Sequence, residues 1–344
     1  MAVTSADVAR RAGVSRTAVS LVLNGRAEGS ISAENQGRIL AAAEELGYQP
    51  NSAAVSLRRR TTATVGLITD EITQTPFAGR LLQGASDVAY EHGHLVFVVD
   101  TGLDLEREAD AVRVLRGRQV DAFMFAAMSH RPVDVAPEMR RLPLVLANCY
   151  ATTRDVACTV PDEFGGAYAA TVALLELGHR DIVVFSGLQF TPGRPPVPAV
   201  HLRIEGFRAA MREIGLLADR VVPTGWDIDD GALRAREVLS GERPPTAIMC
   251  HNDRAAVGVA LTAARLGLDV PGDLSIVGYD DEERIAGRME PRLATVALPH
   301  RDMGSIAMEM LMSALAEGRD VGTEQVLVPC PFIPRASAGP VPTR

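Results

Sequence analysis

Hydrophobic positions change their period once along this 344-residue chain. Over the first fifty residues they recur at helical spacing. Val8, Ala9 and Ala12 share one face behind an N-capping Thr4, and Gly13 ends that helix. Ser15 restarts a second helix through Val22 or Leu23, with Val19, Val22 and Leu23 facing inward. Asn24-Gly25 is a turn signal. A third helix is expected from about Ser32 to Leu46, with Ile39, Leu40, Ala43 and Leu46 apolar and Gly47 as its stop. Helix, glycine-containing turn, helix is the helix-turn-helix pattern.

Tyr48-Gln49-Pro50-Asn51 breaks the third helix. Residues 51–60 (NSAAVSLRRR) read as a linker with no core of its own, one that orders on binding. From Thr64 the texture changes. Apolar, strand-like runs at 65–69, 95–99, 122–127, 144–147, 182–186, 247–250, 274–278, 293–297 and 325–329 alternate with helical stretches such as 76–91, 106–116, 165–177, 204–214, 231–239 and 254–265. That alternation predicts βαβ units and parallel sheets. So many strands exceed one comfortable open sheet and favour two α/β lobes. Ligands in such sheets bind beyond the carboxyl ends of the strands. The expected pocket therefore lies near Asp70, Asn148, Asn252 and Asp280.

Charge separates the two regions. The chain carries −8 overall, yet residues 1–60 hold eight Arg against five acids, net +3, and the remainder 27 Arg against 38 acids, net −11. A basic head on an acidic body implies that only the head meets a polyanion. All 35 basic residues are Arg, which reads as coding bias. Cys149, Cys158, Cys250 and Cys330 have neither metal-ligand nor redox spacing, so buried thiols in a reducing compartment are expected. The first residues, MAVTSADVARRAGVS, form no apolar signal core, and no run of 18 apolar residues exists. A cytoplasmic protein with no membrane partner is the expectation.

TSADVARRAGVSRTAVSLVLNG (4–25) resembles the opening helix-turn-helix of the LacI/GalR transcriptional regulators, and GYQPNSAAVSL (47–57) resembles their hinge. VGLITDEITQTPFAGRLLQGA (65–85), LELGHRDIVVFSG (175–187), RIEGFRAAM (203–211), PTAIMCHNDRAAVGV (245–259), DVPGDLSIVGYDD (269–281) and LATVALP (293–299) are similar to the effector-domain signatures, in order. The resemblance covers roughly residues 3–335. It implies a three-helix DNA-binding domain (1–49), a hinge (50–61), and a two-lobed effector domain like the periplasmic binding proteins (62–340). Its N-lobe is expected at about 62–161 and 292–324, its C-lobe at about 162–291 and 325–340. It also implies a homodimer on a palindromic operator of double-stranded DNA, with a small molecule between the lobes.

On the DNA side, the resemblance puts Arg16 and Thr17 at the start of the recognition helix, where base edges are read. An Arg can hold guanine O6 and N7 together. Leu21 either touches a thymine methyl or packs inward. Ser15 and Ser20 are phosphate contacts or caps, and Thr4 and Asn24 are expected among the DNA-binding residues as well. Leu57 aligns with the leucine that wedges into a minor-groove step. Asn51 and Ala54 match hinge positions close to the DNA backbone, and Arg58–Arg60 add phosphate attraction. The loop GRAEGS (25–30) is longer than the common form, and Gln36 stands where many members carry an Arg.

On the effector side, Arg203 occupies the family position that reaches into the cleft, suited to vicinal hydroxyls or a carboxylate. Trp226, the only Trp, occupies the position of a ring stacked on ligand. Asp280 accepts from hydroxyls, an N–H or Arg203, or else caps the next helix. Asn252 is the better ligand candidate and Asp253 the better N-cap. Asn148 and Asp70 end strands facing the cleft. Phe77 closes the pocket or packs in the core, and Asp162 marks a lobe crossover. The Pro-rich loop 187–202 borders the cleft, with Arg194 and His201 as contacts or solvent-exposed groups.

An enzyme is the competing class. No Ser-His-Asp order, P-loop, GxGxxG or metal motif is present, and His92, His94, His179 and His251 are scattered, so neither a cofactor nor a metal is expected. A periplasmic sugar-binding protein would share the lobes but lack residues 1–57. Within the regulator reading, a sugar inducer is favoured over a corepressor of another class, and a repressor over an activator. The tail PCPFIPRASAGPVPTR has no leucine heptads, so a dimer is the default.

Overall fold

The computed structural model describes residues 3–48, 61–72, 78–188 and 197–343. The chain divides into two units, 1–62 and 63–344. In the first, α1 (Ser5–Ala12), α2 (Arg16–Leu23) and α3 (Ala33–Glu45) pack around Val8, Val19 and Ile39, each at most 1% exposed. The starts and stops are local chemistry. Thr4 and Asp7 form a capping box at α1, and Gly13 ends it at φ 68°. Ser15 and Ser32 cap α2 and α3 by accepting from Ala18 N and Asn35 N. Leu40 departs from the expected apolar face. It is 54% exposed, because Ala42 and Ala43 take the inward positions beside Ile39. From the first turn of α3, Gln36 Nε2 donates back to the Ile31 carbonyl (2.8 Å).

The second unit holds two six-stranded sheets. The first sheet has the order β11-β5-β4-β3-β1-β2, from β1 (Thr64–Thr69), β2 (Leu95–Asp100), β3 (Ala122–Val133), β4 (Leu144–Ala151), β5 (Cys158–Pro161) and β11 (Gln325–Val328). The second has the order β12-β10-β9-β8-β6-β7, from β6 (Ile182–Ser186), β7 (Val221–Pro223), β8 (Ala247–Cys250), β9 (Ser275–Asp280), β10 (Ala294–Ala297) and β12 (Phe332–Ile333). All pairings are parallel except β10 with β12. Central strands are buried on both faces, as parallel sheets covered by helices require.

Helices cover both sheets. On the first, α4 (Ala78–Glu91) and α10 (His300–Glu317) share one apolar cluster with β1 and β3, and α5 (Leu105–Gly117) packs on the opposite face. Gly304 lets α10 approach α4, since a Cβ there would collide with the Leu81 carbonyl. On the second sheet, α6 (Glu163–Glu176) and α7 (Pro198–Glu213) cover one face, and α8 (Ile228–Leu239) and α9 (Asp253–Arg265) the other.

The lobe assignments near the C-terminus differ from the expectation. Residues 294–297, expected in the N-lobe, pair with β9 in the second sheet, Ala294 opposite Val277. Residues 325–328, expected in the C-lobe, extend the first sheet beside β5, Gln325 opposite Cys158. Strand pairing decides this, and pairing is a long-range choice that a short apolar run does not encode. The chain thus crosses between sheets three times, at Asp162, at Leu298-Pro299 and at Pro329-Cys330-Pro331.

Candidate functional site

In the N-terminal unit, α2 presents Arg16 and Thr17, both exposed, from its first turn. Ser15 spends its hydroxyl on the Ala18 amide (3.1 Å), and Thr4 on the Asp7 carboxylate (2.7 Å). Asn24 donates from Nδ2 to the Ser20 carbonyl (2.5 Å) and hydroxyl (3.3 Å), closing the end of α2. Thr4, Ser15, Ser20 and Asn24 therefore shape the helix ends, and Leu21 is half-buried between the outer face and the core. Asn51, Ala54, Leu57 and Arg58–Arg60 lie outside the described residues.

In the second unit, the strand ends of both lobes carry the polar groups. Asp70, past β1, accepts from Met128 N (2.9 Å) and pairs with Arg131 (2.7 Å). Asn148 in β4 donates to the Ala127 and Met128 carbonyls, both at 3.0 Å. Asp70 and Asn148 thus grip opposite sides of the Met128 peptide. They hold an irregularity in β3, where register with β4 shifts between Ala126 and Arg131. Bulges of this kind re-aim side chains beside sites. Here the bulge carries His130, whose ring meets Tyr150 edge-on at 5.5 Å. His130 Nδ1 is buried without a hydrogen-bond partner, and burial lowers its pKa.

The opposing lobe centres on Arg203 in α7. Its Nε and Nη2 hold the Glu163 carboxylate (2.7 and 3.1 Å), and Nη1 donates to the His251 carbonyl. Asp280 lies 3.9 Å from Nη2, and the guanidinium sits 3.7 Å over the Tyr279 ring. Burial works against the Arg203 charge, but Glu163, Tyr279 and Asp280 together outweigh it and raise the pKa. Burial pushes the Asp280 carboxyl well above the usual carboxylate range, with Arg203 opposing. The backbone is strained at the same place. Asn148, Asp280 and Asp281 adopt φ of 57°, 104° and 51°, and such outliers concentrate at functional sites.

Trp226 packs edge-on against His251 at 4.8 Å and 87°. A Cβ at Gly187 would meet the indole at 2.6 Å, so only glycine leaves room for the ring there. Asn252 caps α9 through Ala255 N (2.8 Å) and donates to the Trp226 carbonyl (2.9 Å). This reverses the expected division of labour. Asn252 is the N-cap, and Asp253 is fully buried, accepting from Glu282 N and Thr295 Oγ1, both at 2.6 Å. Burial raises the Asp253 carboxyl to about 7. Asp162 caps α6 through Gly165 N (2.8 Å). His201 is exposed on α7, and Phe77 and Arg194 lie outside the described residues.

Two sequence patterns match the chain: the lacI family of bacterial regulatory proteins over residues 4–51, and the periplasmic binding protein-like domain over 171–338. The chain is 30% identical over 345 residues to the HTH-type transcriptional repressor CytR of Escherichia coli K12, covering 99% of this chain and 98% of that protein. The chain belongs to the lacI family of bacterial regulatory proteins. The lac repressor dimer bound to operator and an anti-inducer has the same fold, with TM-score 0.80, 24% identity, and 98% and 100% of the two chains covered. The complex of the regulator CelR with cellobiose gives TM-score 0.67 at 26% identity, covering 97% and 99%. A lacI-family protein is a DNA-binding transcriptional regulator and not an enzyme. No described helix is long and apolar enough to cross a membrane.

Sequence reasoning missed Glu163, Arg131 and His130 as neighbours of the site. Glu163 is 2% exposed, and no local pattern marks its partner 40 residues away. Its signal was a charged residue following the crossover Asp162 in an otherwise apolar helix.

Proposed function

We propose that this lacI-family protein is a repressor that binds a palindromic operator as a homodimer and is released by a sugar or sugar derivative held between its lobes. The observation that carries the reading is the pairing of an intact helix-turn-helix with a two-lobed domain that gathers Glu163, His251, Tyr279 and Asp280 around Arg203 and sets Trp226 against His251. Arg16 and Thr17 read bases from the exposed first turn of α2. Asp280, Arg203 and Trp226 meet the effector. Asp70, Asn148 and Asn252 hold the walls around it. The cellobiose in the CelR complex supports a carbohydrate.

The dimer is supported by apolar surface that a monomer has no reason to show. Leu95, Phe97 and Val98 on the edge strand β2, with Leu105 and Val114 on α5, are 41–79% exposed. Of these, Phe97, Val98 and Val114 line a concave face together with Ala111 and Leu115. The lac repressor neighbour is a dimer on its operator, and a second copy is the occupant this face fits.

Selection from randomised duplex DNA by the full-length protein at about 0.15 M salt tests the reading. An enriched palindrome is expected. Enrichment of an unpaired half-site would remove the dimer, and no enrichment with or without added metabolites would remove the operator.

A further inference from the structure

We infer that Asp253 is a positioning residue of the effector cleft and that proton uptake at its carboxyl loosens the loop carrying Asp280; this rests on the reading of the cleft as the effector site. Asp253 begins α9, directly after the Asn252 that caps the helix and holds Trp226. It is fully buried. One carboxylate oxygen accepts from Glu282 N and the other from Thr295 Oγ1, both at 2.6 Å. A Cβ at Gly278 would meet Asp253 Oδ1 at 2.2 Å, so β9 passes the carboxylate with no room for a side chain. One side chain thus joins the start of α9, the loop leaving β9, and β10 three residues before the crossover at Leu298.

The loop it holds is strained. Asp280 and Asp281 have φ of 104° and 51°, and such conformations persist only where the surroundings fix them. The Glu282 amide bonded to Asp253 fixes the chain directly after them. Asp253 itself has no counter-ion, because its acidic neighbours take the arginines. Arg254 meets Glu282 at 3.2 Å, Arg335 meets Asp281 at 2.7 Å, and Arg203 lies 3.9 Å from Asp280. Among the described residues no cation pairs with Asp253. From β8 come Cys250, whose thiol burial pushes up, and His251, whose ring burial lowers to about 4, so both stay neutral through the neutral range. Burial, with Asp281 and Glu282 adding like charge, raises the Asp253 carboxyl to about 7 against the pull of Thr295 and the Glu282 amide.

The proton changes what this side chain does. As a carboxylate it only accepts, and both donors suit it. Once protonated it must donate from one oxygen, and Thr295 must reverse its hydroxyl to receive that proton. The Glu282 amide then meets a neutral oxygen, and hydrogen bonds to an ionised acceptor are roughly twice as strong as neutral ones. The hold on the loop therefore weakens as pH falls through about 7, and with it the placement of Asp280 toward an effector.

The test follows one amide. Full-length protein isotope-labelled at glutamate nitrogen is titrated by NMR from about pH 5.5 to 8.5, and E282Q identifies the Glu282 signal by its loss. That signal is expected to shift with a midpoint of about 7. Its exchange with solvent, corrected for the intrinsic rate, is expected to be about fivefold faster at the acid end. D253N accepts from Glu282 and donates to Thr295 at every pH, so it abolishes the titration. T295V removes the hydroxyl that favours the carboxylate and moves the midpoint upward; it carries the test if D253N does not fold. D280N keeps a titration, which excludes Asp280 as its source. A flat Glu282 signal, or a transition that survives in D253N, overturns the inference. So does a titration with unchanged exchange, since Asp253 would then be a buried acid with no hold on the loop. The cleft reading fails separately: the titration belongs to the free protein, whereas that reading is lost when no metabolite mixture releases the selected operator.

Discussion

Asn252 joins two functions in one side chain. Its Oδ1 caps α9 at Ala255 N, and its Nδ2 holds the Trp226 carbonyl at 2.9 Å. The only tryptophan is thereby anchored to the first turn of a helix that is buried against the second sheet. Helix register and ring position are one mechanical unit.

Asn252→Ala is expected to cost about 1 kcal/mol through the lost cap and to loosen Trp226. Intrinsic fluorescence reports this without ambiguity, because no other Trp contributes. A red-shifted emission is expected, and Asn252→Asp should recover the stability but not the emission, since Asp cannot donate to the carbonyl. An unchanged spectrum in Asn252→Ala would show that packing on His251 holds the ring alone.

Arg16→Ala should relax specificity at one base pair in each half-site, at about 1–3 kcal/mol for that pair. Competition binding against a set of single-base operator variants measures it. Equal loss on every sequence would make Arg16 a phosphate contact.

Arg203→Ala should abolish the effector response and also destabilise the fold by about 3–5 kcal/mol, because it leaves Glu163 charged and buried without a partner. Arg203→Ala combined with Glu163→Gln should regain much of that stability and still not respond. Urea unfolding of both variants separates the two effects. Equal midpoints would mean that Glu163 is not paired in solution.

Burial lowers the pKa of His251 and of His300 to about 4. Both are depressed below the unfolded value, so the unfolded chain binds protons first as pH falls. Their contribution is present above about pH 6.5 and is lost as pH falls toward 4. His300→Gln should therefore lose less Tm than the unsubstituted protein over that window. Asp253, raised to about 7, acts in the opposite direction, which is why the difference between the two proteins, not the absolute curve, is the measurement. Parallel curves would contradict the burial of the His300 ring.

Phe97→Glu places a charge on the exposed face of β2 and α5. Sedimentation should show monomer at concentrations where the unsubstituted protein is dimeric, with weaker operator binding and an unchanged far-UV spectrum. A dimer of undiminished affinity would move the interface elsewhere.

The head was readable almost residue by residue. Capping and termination act within four residues, so Thr4, Gly13, Ser15 and Ser32 announce their helices locally. Strand and helix alternation likewise gave the two α/β lobes, and the rule for strand ends pointed to Asp70, Asn252 and Asp280, each at or just past the end of its strand, whereas Asn148, expected at a strand end, lies inside β4. Those signals depend only on neighbours in sequence.

What the sequence left open depends on groups far apart in it. Which sheet receives residues 294–297 and 325–328 follows from pairing with β9 and β5, and no local pattern distinguishes the two choices. Arg203 looked free for a ligand because Glu163, 40 residues earlier, meets it only after α6 and α7 pack side by side. His130 is carried on a bulge in β3 that Asp70 and Asn148, distant in sequence, hold in place. Local backbone chemistry specified the elements. The charge that the cleft presents to a ligand was decided by tertiary packing, because a carboxylate and a guanidinium cancel only when the fold brings them within reach.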